Sequence, residues 1–285
     1  MFPLIAAISQ AAGIIVDKII LTRRRMELHV YIPVLFLFLF ILTAILMPLL
    51  GTISLKFFTP YYLGIFLMMI VTALIWNVYY YKGAQDEKVY EFELIIMFQP
   101  LLTILLAAIF LEKNTNIHIL IASVLAALAL IMAHINKKHL PAGKAGFEIS
   151  AAGKGLVLAV VFISIEIILQ KIMLDVLSPV SLYFLRTGIL FIFFWLFYRP
   201  RMHQVSDTNT AFILATAAAG VVQMVTKFYG FQQFGVIYTS LVLILSPILV
   251  YTISTIALHE RLKIRTIISA LVILGCIVYA TLFGK

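Results

Sequence analysis

Glu166 stands twelve residues beyond Lys154, in a run that is apolar apart from Ser164 and the glycine that opens it. A helix rises 1.5 Å per residue, which places the carboxyl about 18 Å along the run. The hydrocarbon core of a bilayer is about 30 Å thick, so Glu166 falls near its middle. A charge there costs about 2.5 kcal/mol or more on insertion scales, and a residue kept at such cost invites a functional reading. The carboxyl is a proton carrier or the counter-ion of a cationic solute. The structural alternative is a protonated acid hydrogen-bonded to a neighbouring helix. No other acid in the sequence is expected at that depth.

Other polar residues sit inside apolar runs. Lys18 and Lys171 occupy equivalent places near the ends of their runs, with Asp17 and Gln170 beside them. Snorkelling to the interface explains each lysine alone, while their repetition leaves a gating or ion-pair role open. Gln10, Gln99, Gln223 and Ser246 fall at mid-depth, where such side chains bridge helices or line a cavity. Pro100 and Pro247 each free a backbone carbonyl, which suits a bent helix beside a solute path and equally a packing kink. Asn77, Tyr80, Lys227 and Tyr229 lie near span ends, where the aromatic residues read as interfacial anchors. Glu91 and Glu93 read as headgroup-level residues, and Glu112 and Glu260 as helix-turn structure. The six histidines lie in connections or near membrane edges without metal-ligand spacing, and no phosphate loop or nucleophile elbow is present. No catalytic residue, cofactor or metal is expected.

The elements that position these residues follow from composition. Of 285 residues 64% are hydrophobic and 12% charged, against about a quarter charged in a soluble domain. About 20 apolar residues cross a bilayer, and lipid-exposed backbone must satisfy itself, so helices are the expected form. Ten spans are predicted, at about 2–21, 31–50, 61–81, 89–111, 117–135, 154–175, 180–198, 210–229, 235–257 and 264–282. The net charge of +9 resides almost wholly in the connections, which argues for membrane topology and against nucleic acid. The single cysteine, Cys276, excludes an intrachain disulfide. The first run precedes Arg23–Arg25 and reads as a reverse signal anchor.

The polar stretch at 137–153 divides the spans five and five, giving halves at 1–136 and 154–285. The halves repeat. Shifting 78–133 by 147 positions aligns Gly83 with Gly230, Gln85 with Gln232 and Pro100 with Pro247. A shift of 153 aligns Lys18 with Lys171 and Gly13 with Glu166. Five spans is an odd number, so the second copy enters the membrane inverted. That is the architecture of transporters whose halves rock about a midplane site. The fold class expected is all-α and polytopic, with two inverted five-helix repeats.

Against this background the chain resembles the drug/metabolite transporter superfamily, in its ten-helix form with two EamA-type repeats. Pro247 followed by Ala257-Leu258-His259-Glu260-Arg261-Leu262 carries the resemblance in the second copy, and Pro100 followed by Phe110-Leu111-Glu112-Lys113 in the first. Ser178-Pro179 and Arg186 open the second helix of the second copy, where Pro33 replaces the arginine in the first. The resemblance implies a fold and a transport class without a substrate.

The function expected is a secondary transporter, with proton coupling left open, for a small metabolite or drug-like solute. The location expected is the cell membrane of a bacterium or archaeon. Its partners would be the solute, lipid and, with proton coupling, protons; a homodimer is compatible with the sequence. A membrane enzyme acting on lipid, or a receptor or scaffold, are the rival readings. The odd-numbered connections hold fourteen Lys and Arg residues against Lys56, Lys113 and Lys285 on the other side, which places both termini away from the cytoplasm. Resemblance favours cytoplasmic termini; the charge count is preferred. Spans five and ten, nearly free of polar side chains at mid-span, are expected to lie outside the cavity.

Overall fold

Apolar runs that leave no backbone group to water close their hydrogen bonds internally as helices. The structure is a computed structural model that describes residues 1–23, 26–86, 92, 95–96, 98–111, 116–134, 151–200, 207–250 and 264–283. Its main helices are α1 (Phe2–Lys18), α2 (Leu28–Leu50), α3 (Pro60–Asp86), α4 (Phe98–Phe110), α5 (Ile117–His134), α6 (Ala151–Met173), α7 (Pro179–Tyr198), α8 (Asp207–Leu243) and α9 (Ile264–Phe283). A π-helical turn, Ile19–Arg23, prolongs α1. Among the described residues, six helices are long and apolar enough to cross a membrane, and three shorter apolar ones accompany them. The protein is an all-α polytopic membrane protein. Among the described residues there is no sheet, only an isolated antiparallel bridge between Ile53 and Leu177.

Spans eight and nine depart from the expected boundaries. The predicted connection at 230–234 is helical, and the break falls at Gly235, with φ 81° and ψ 170°. That conformation favours a residue without Cβ, so the glycine turns one long helical stretch into two arms. The second arm continues to Val250 with a turn at Ile244. Pro247 has no N–H to give the Leu243 carbonyl four residues earlier, which accounts for the turn at that point. The Glu260 and Glu112 motifs, Glu91 and Glu93, and the 137–150 part of the connecting stretch lie outside the described residues.

Helix pairings obey an exchange of halves. The first span (α1) packs on the eighth (α8) and the third (α3) on the sixth (α6), while α2 packs on α7 and α5 on α9. Replacing each span by its repeat partner reproduces the same set. One contact is made twice in detail. A Cβ at Gly83 would meet Leu156 Cδ2 at 2.3 Å, and one at Gly230 would meet Pro3 Cγ at 3.2 Å. The glycines differ by 147 positions and their neighbours by 153, the two repeat shifts. Each glycine lets its helix approach a neighbour closely, as small residues do where no hydrophobic effect drives helices together.

Across the junction, α2 and α7 meet through like residues. Phe40 stacks on Phe184 with centroids 5.1 Å apart, and the Thr43 and Thr187 hydroxyls lie 3.3 Å apart. At one end of this pair the α2–α3 and α6–α7 connections are clasped. Ser54 N–H donates to the Val176 carbonyl at 2.9 Å, and Ser178 N–H to the Thr52 carbonyl at 3.0 Å. The Ser178 hydroxyl oxygen accepts from Thr52 N–H at 3.0 Å and from Ser181 N–H at 3.3 Å, where it caps α7. Spans five and ten stand apart: α5 exposes Ile121, Leu125 and Leu128 while burying Ala122, Ser123, Ala126 and Ala127.

Candidate functional site

The α6–α7 hairpin sets the central ion pair. Glu166 lies ten residues before Val176 and Arg186 ten residues after it, so the two reach equal depth on antiparallel helices. Arg186 Nε donates to Glu166 Oε1 at 2.5 Å and Arg186 Nη2 to Oε2 at 3.2 Å. Gln170 Nε2 donates to Oε1 at 2.8 Å, one helical turn along α6. Trp76 Nε1, from α3, donates to Oε2. Both charged residues are buried, with 2% exposure for Glu166 and 3% for Arg186. The guanidinium carbon lies 5.8 Å from the centre of the Trp76 ring. Both carboxyl oxygens accept N–H donors.

Glu166 is thus held in an ion pair with Arg186. It shares the cavity with a second acid. Asp17 lines the same cavity and accepts a hydrogen bond from Tyr31. Tyr31 packs edge-on against Tyr81, and Tyr81 against Tyr80, with centroids 5.7 and 5.3 Å apart. In the sequence Asp17 stands out only as a companion of Lys18.

The cavity has a volume of about 260 Å³, close to the small end of ligand pockets at roughly 300 Å³. Its walls come from both halves at equivalent positions. Trp76 and Gln223, Tyr80 and Lys227, Ile96 and Leu243, and Pro100 and Pro247 are pairs at the 147 shift. Gln10 and Ile163, Gly13 and Glu166, and Asp17 and Gln170 are pairs at the 153 shift. None of the lining residues comes from α5 or α9.

Of the residues singled out from sequence, Glu166, Gln10, Gln99, Gln223, Gln170, Asn77, Pro100 and Pro247 line the cavity together. Gln99 also donates to Thr103 at 3.0 Å, and Thr103 to Ser164 at 3.2 Å, a chain that ties α4 to α6. Asn77 donates back to the Ala73 carbonyl at 2.7 Å. Lys171 and Ser246 do not line the cavity; Ser246 is fully buried with no hydroxyl partner among the described residues. The side chain of Lys18 lies outside the description.

The sequence pattern places Lys227 near a span end, yet it is buried, at 8% exposure, and lines the cavity. Its ammonium stands 5.7 Å from the centre of Phe228 and 5.5 Å from that of Phe231. The repeat carried a signal for it. Lys227 is the partner of Tyr80, and two polar residues at one equivalent position mark an inward face.

A helical membrane protein with a cavity lined from both the N-terminal and the C-terminal parts of the chain defines the class. Within the chain, residues 154–282 match the EamA-like transporter family. A crystal structure of another protein superposes with a TM-score of 0.71 over 98% of this chain and 98% of its own, at 12% identity. That likeness is one of fold. No curated protein matches the chain.

Proposed function

We propose that the protein is a secondary transporter that moves a small metabolite or drug-like solute by alternating access, and acts on it without catalysis. The reading takes 1–136 as a first EamA-like repeat, 154–285 as the second and 137–153 as their connection. It places the protein in a bacterial or archaeal cell membrane. One observation carries it: the cavity is lined by repeat-related pairs of residues from both halves. A site shared by two inverted halves becomes accessible from either side when the halves rock. The match of 154–282 to a transporter family supports the same reading.

The parts take natural roles in such a cycle. The Glu166–Arg186 pair joins α6 to α7 at the cavity wall. The clasp between the connections at 52–54 and 176–178 shuts one end of the α2–α7 junction. Asp17 has no ion-pair partner among the described residues, and it is the acid proposed to exchange protons if transport is proton-coupled. The outward rows of α5 and α9 face lipid or a second copy. The test is flux in liposomes for amino acids, nucleosides, carboxylic acids and organic cations. Saturable uptake of one class supports the proposal, and leakage-level uptake of all of them opposes it.

A further inference from the structure

Lys227 is buried, and no carboxylate among the described residues stands within ion-pair distance of its ammonium. Its charged neighbours are Glu166 and Arg186. Glu166 is already committed, since its two oxygens accept from Arg186, Gln170 and Trp76. No carboxylate among the described residues forms an ion pair with Lys227. What surrounds the ammonium instead is the Phe228 and Phe231 rings. Ring faces attract a cation but leave its N–H donors without acceptors.

Among the described residues, this end of the cavity therefore holds two cations, Lys227 and Arg186, against one anion, Glu166. The other acid in the lining is Asp17, which neighbours Thr216 on α8. Lys227 is eleven residues further along that helix, about 16 Å away at 1.5 Å per residue. Asp17 therefore cannot serve as its partner. A cationic solute group would add a third positive charge beside Lys227 and Arg186, and a neutral solute would leave the excess unbalanced. A group bearing one negative charge balances it. A phosphomonoester brings more than one negative charge at neutral pH. A carboxylate matches both the single excess charge and the N–H donors of the ammonium.

We infer that Lys227 is the anion-binding residue of the cavity and that the solute is a small monocarboxylate. This rests on the proposal that the cavity is the solute site. The amides of Gln10 and Gln223, which line the cavity, offer neutral hydrogen bonds to the rest of the molecule, and the Trp76, Tyr80 and Phe231 rings offer apolar contact.

The test uses the purified full-length protein and one carbon skeleton in three charge states: phenylacetate, phenylacetamide and phenethylamine. Trp76 hydrogen-bonds Glu166 at the cavity wall, so its fluorescence reports occupancy once the second tryptophan is removed as Trp195→Phe. The acid is expected to bind more tightly than the amide or the amine by on the order of tenfold or more. Lys227→Met should abolish that preference and Lys227→Arg should keep it. Equal or tighter binding of the amine or amide overturns the inference, as does an unchanged preference in Lys227→Met. Failure of acetate, benzoate and phenylacetate alike to bind overturns it too. If Lys227→Met does not fold, the three-compound comparison on the wild-type protein decides alone. Flux in liposomes separates this inference from the transport reading. An acid that binds but is not carried counts against transport only. An amine carried equally well by wild type and Lys227→Met counts against the carboxylate assignment only.

Discussion

Arg186 and Glu166, twenty residues apart in sequence, meet through two N–H···O contacts at 2.5 and 3.2 Å while almost fully buried. A pair of this kind is costly to break from one side, because the remaining charge stays buried without compensation.

Glu166→Gln should therefore lower stability by about 3–5 kcal/mol, and Arg186→Met should do the same. The double variant, which removes both charges, should recover most of the loss. Thermal unfolding in detergent, followed by the monodisperse fraction, measures all three. A Glu166→Gln protein as stable as wild type would show that the pair contributes nothing to holding α6 on α7.

How this pair escapes a reading of the sequence is instructive. Gly83, Gly230, Pro100 and Pro247 announce the repeat because their types are rare in apolar helices and recur at one spacing. The all-α membrane fold and the absence of spans five and ten from the described cavity lining follow from such local patterns. The Glu166–Arg186 contact depends on which faces of two helices meet. In runs apolar on nearly every side, the hydropathy pattern does not specify a face. Equal distance from the turn at Val176 was the one available clue. The break at Gly235 is hidden in the sequence because Phe231, Gln232, Gln233 and Phe234 look like a connection yet continue the helix.

Asp17→Asn should flatten the pH dependence of any proton-coupled flux. Asp17 faces Tyr31 from α2, Tyr81 from α3 and Thr216 from α8, and no described cation neutralises it. Uptake into liposomes with an imposed pH gradient gives the answer. An Asp17→Asn protein whose flux keeps the wild-type pH profile would remove Asp17 from the coupling step.

Fourteen Lys and Arg residues in odd-numbered connections against three on the opposite side predict that both termini lie outside the cytoplasm. A C-terminal alkaline phosphatase fusion should be active, and a C-terminal fluorescent protein dark in the cytoplasm. Bright cytoplasmic fluorescence with inactive phosphatase would reverse the topology.

Alternating access itself can be tested without knowing the solute. Ile53 and Leu177 form an antiparallel bridge within the clasp, and such pairs have Cα atoms about 4.5–5.5 Å apart, within the range a disulfide spans. In a Cys276→Ala background, Ile53→Cys/Leu177→Cys supplies a reversible lock, and Gln223→Cys places a third thiol in the cavity wall. A membrane-impermeant thiol reagent is then added to one side of sealed vesicles or the other. With the lock pair reversibly blocked as unlinked thiols, the cavity thiol should react from both sides. With the lock oxidised it should react only from the side of the odd-numbered connections. Reaction from one side alone in the unlocked protein would contradict alternating access through this cavity.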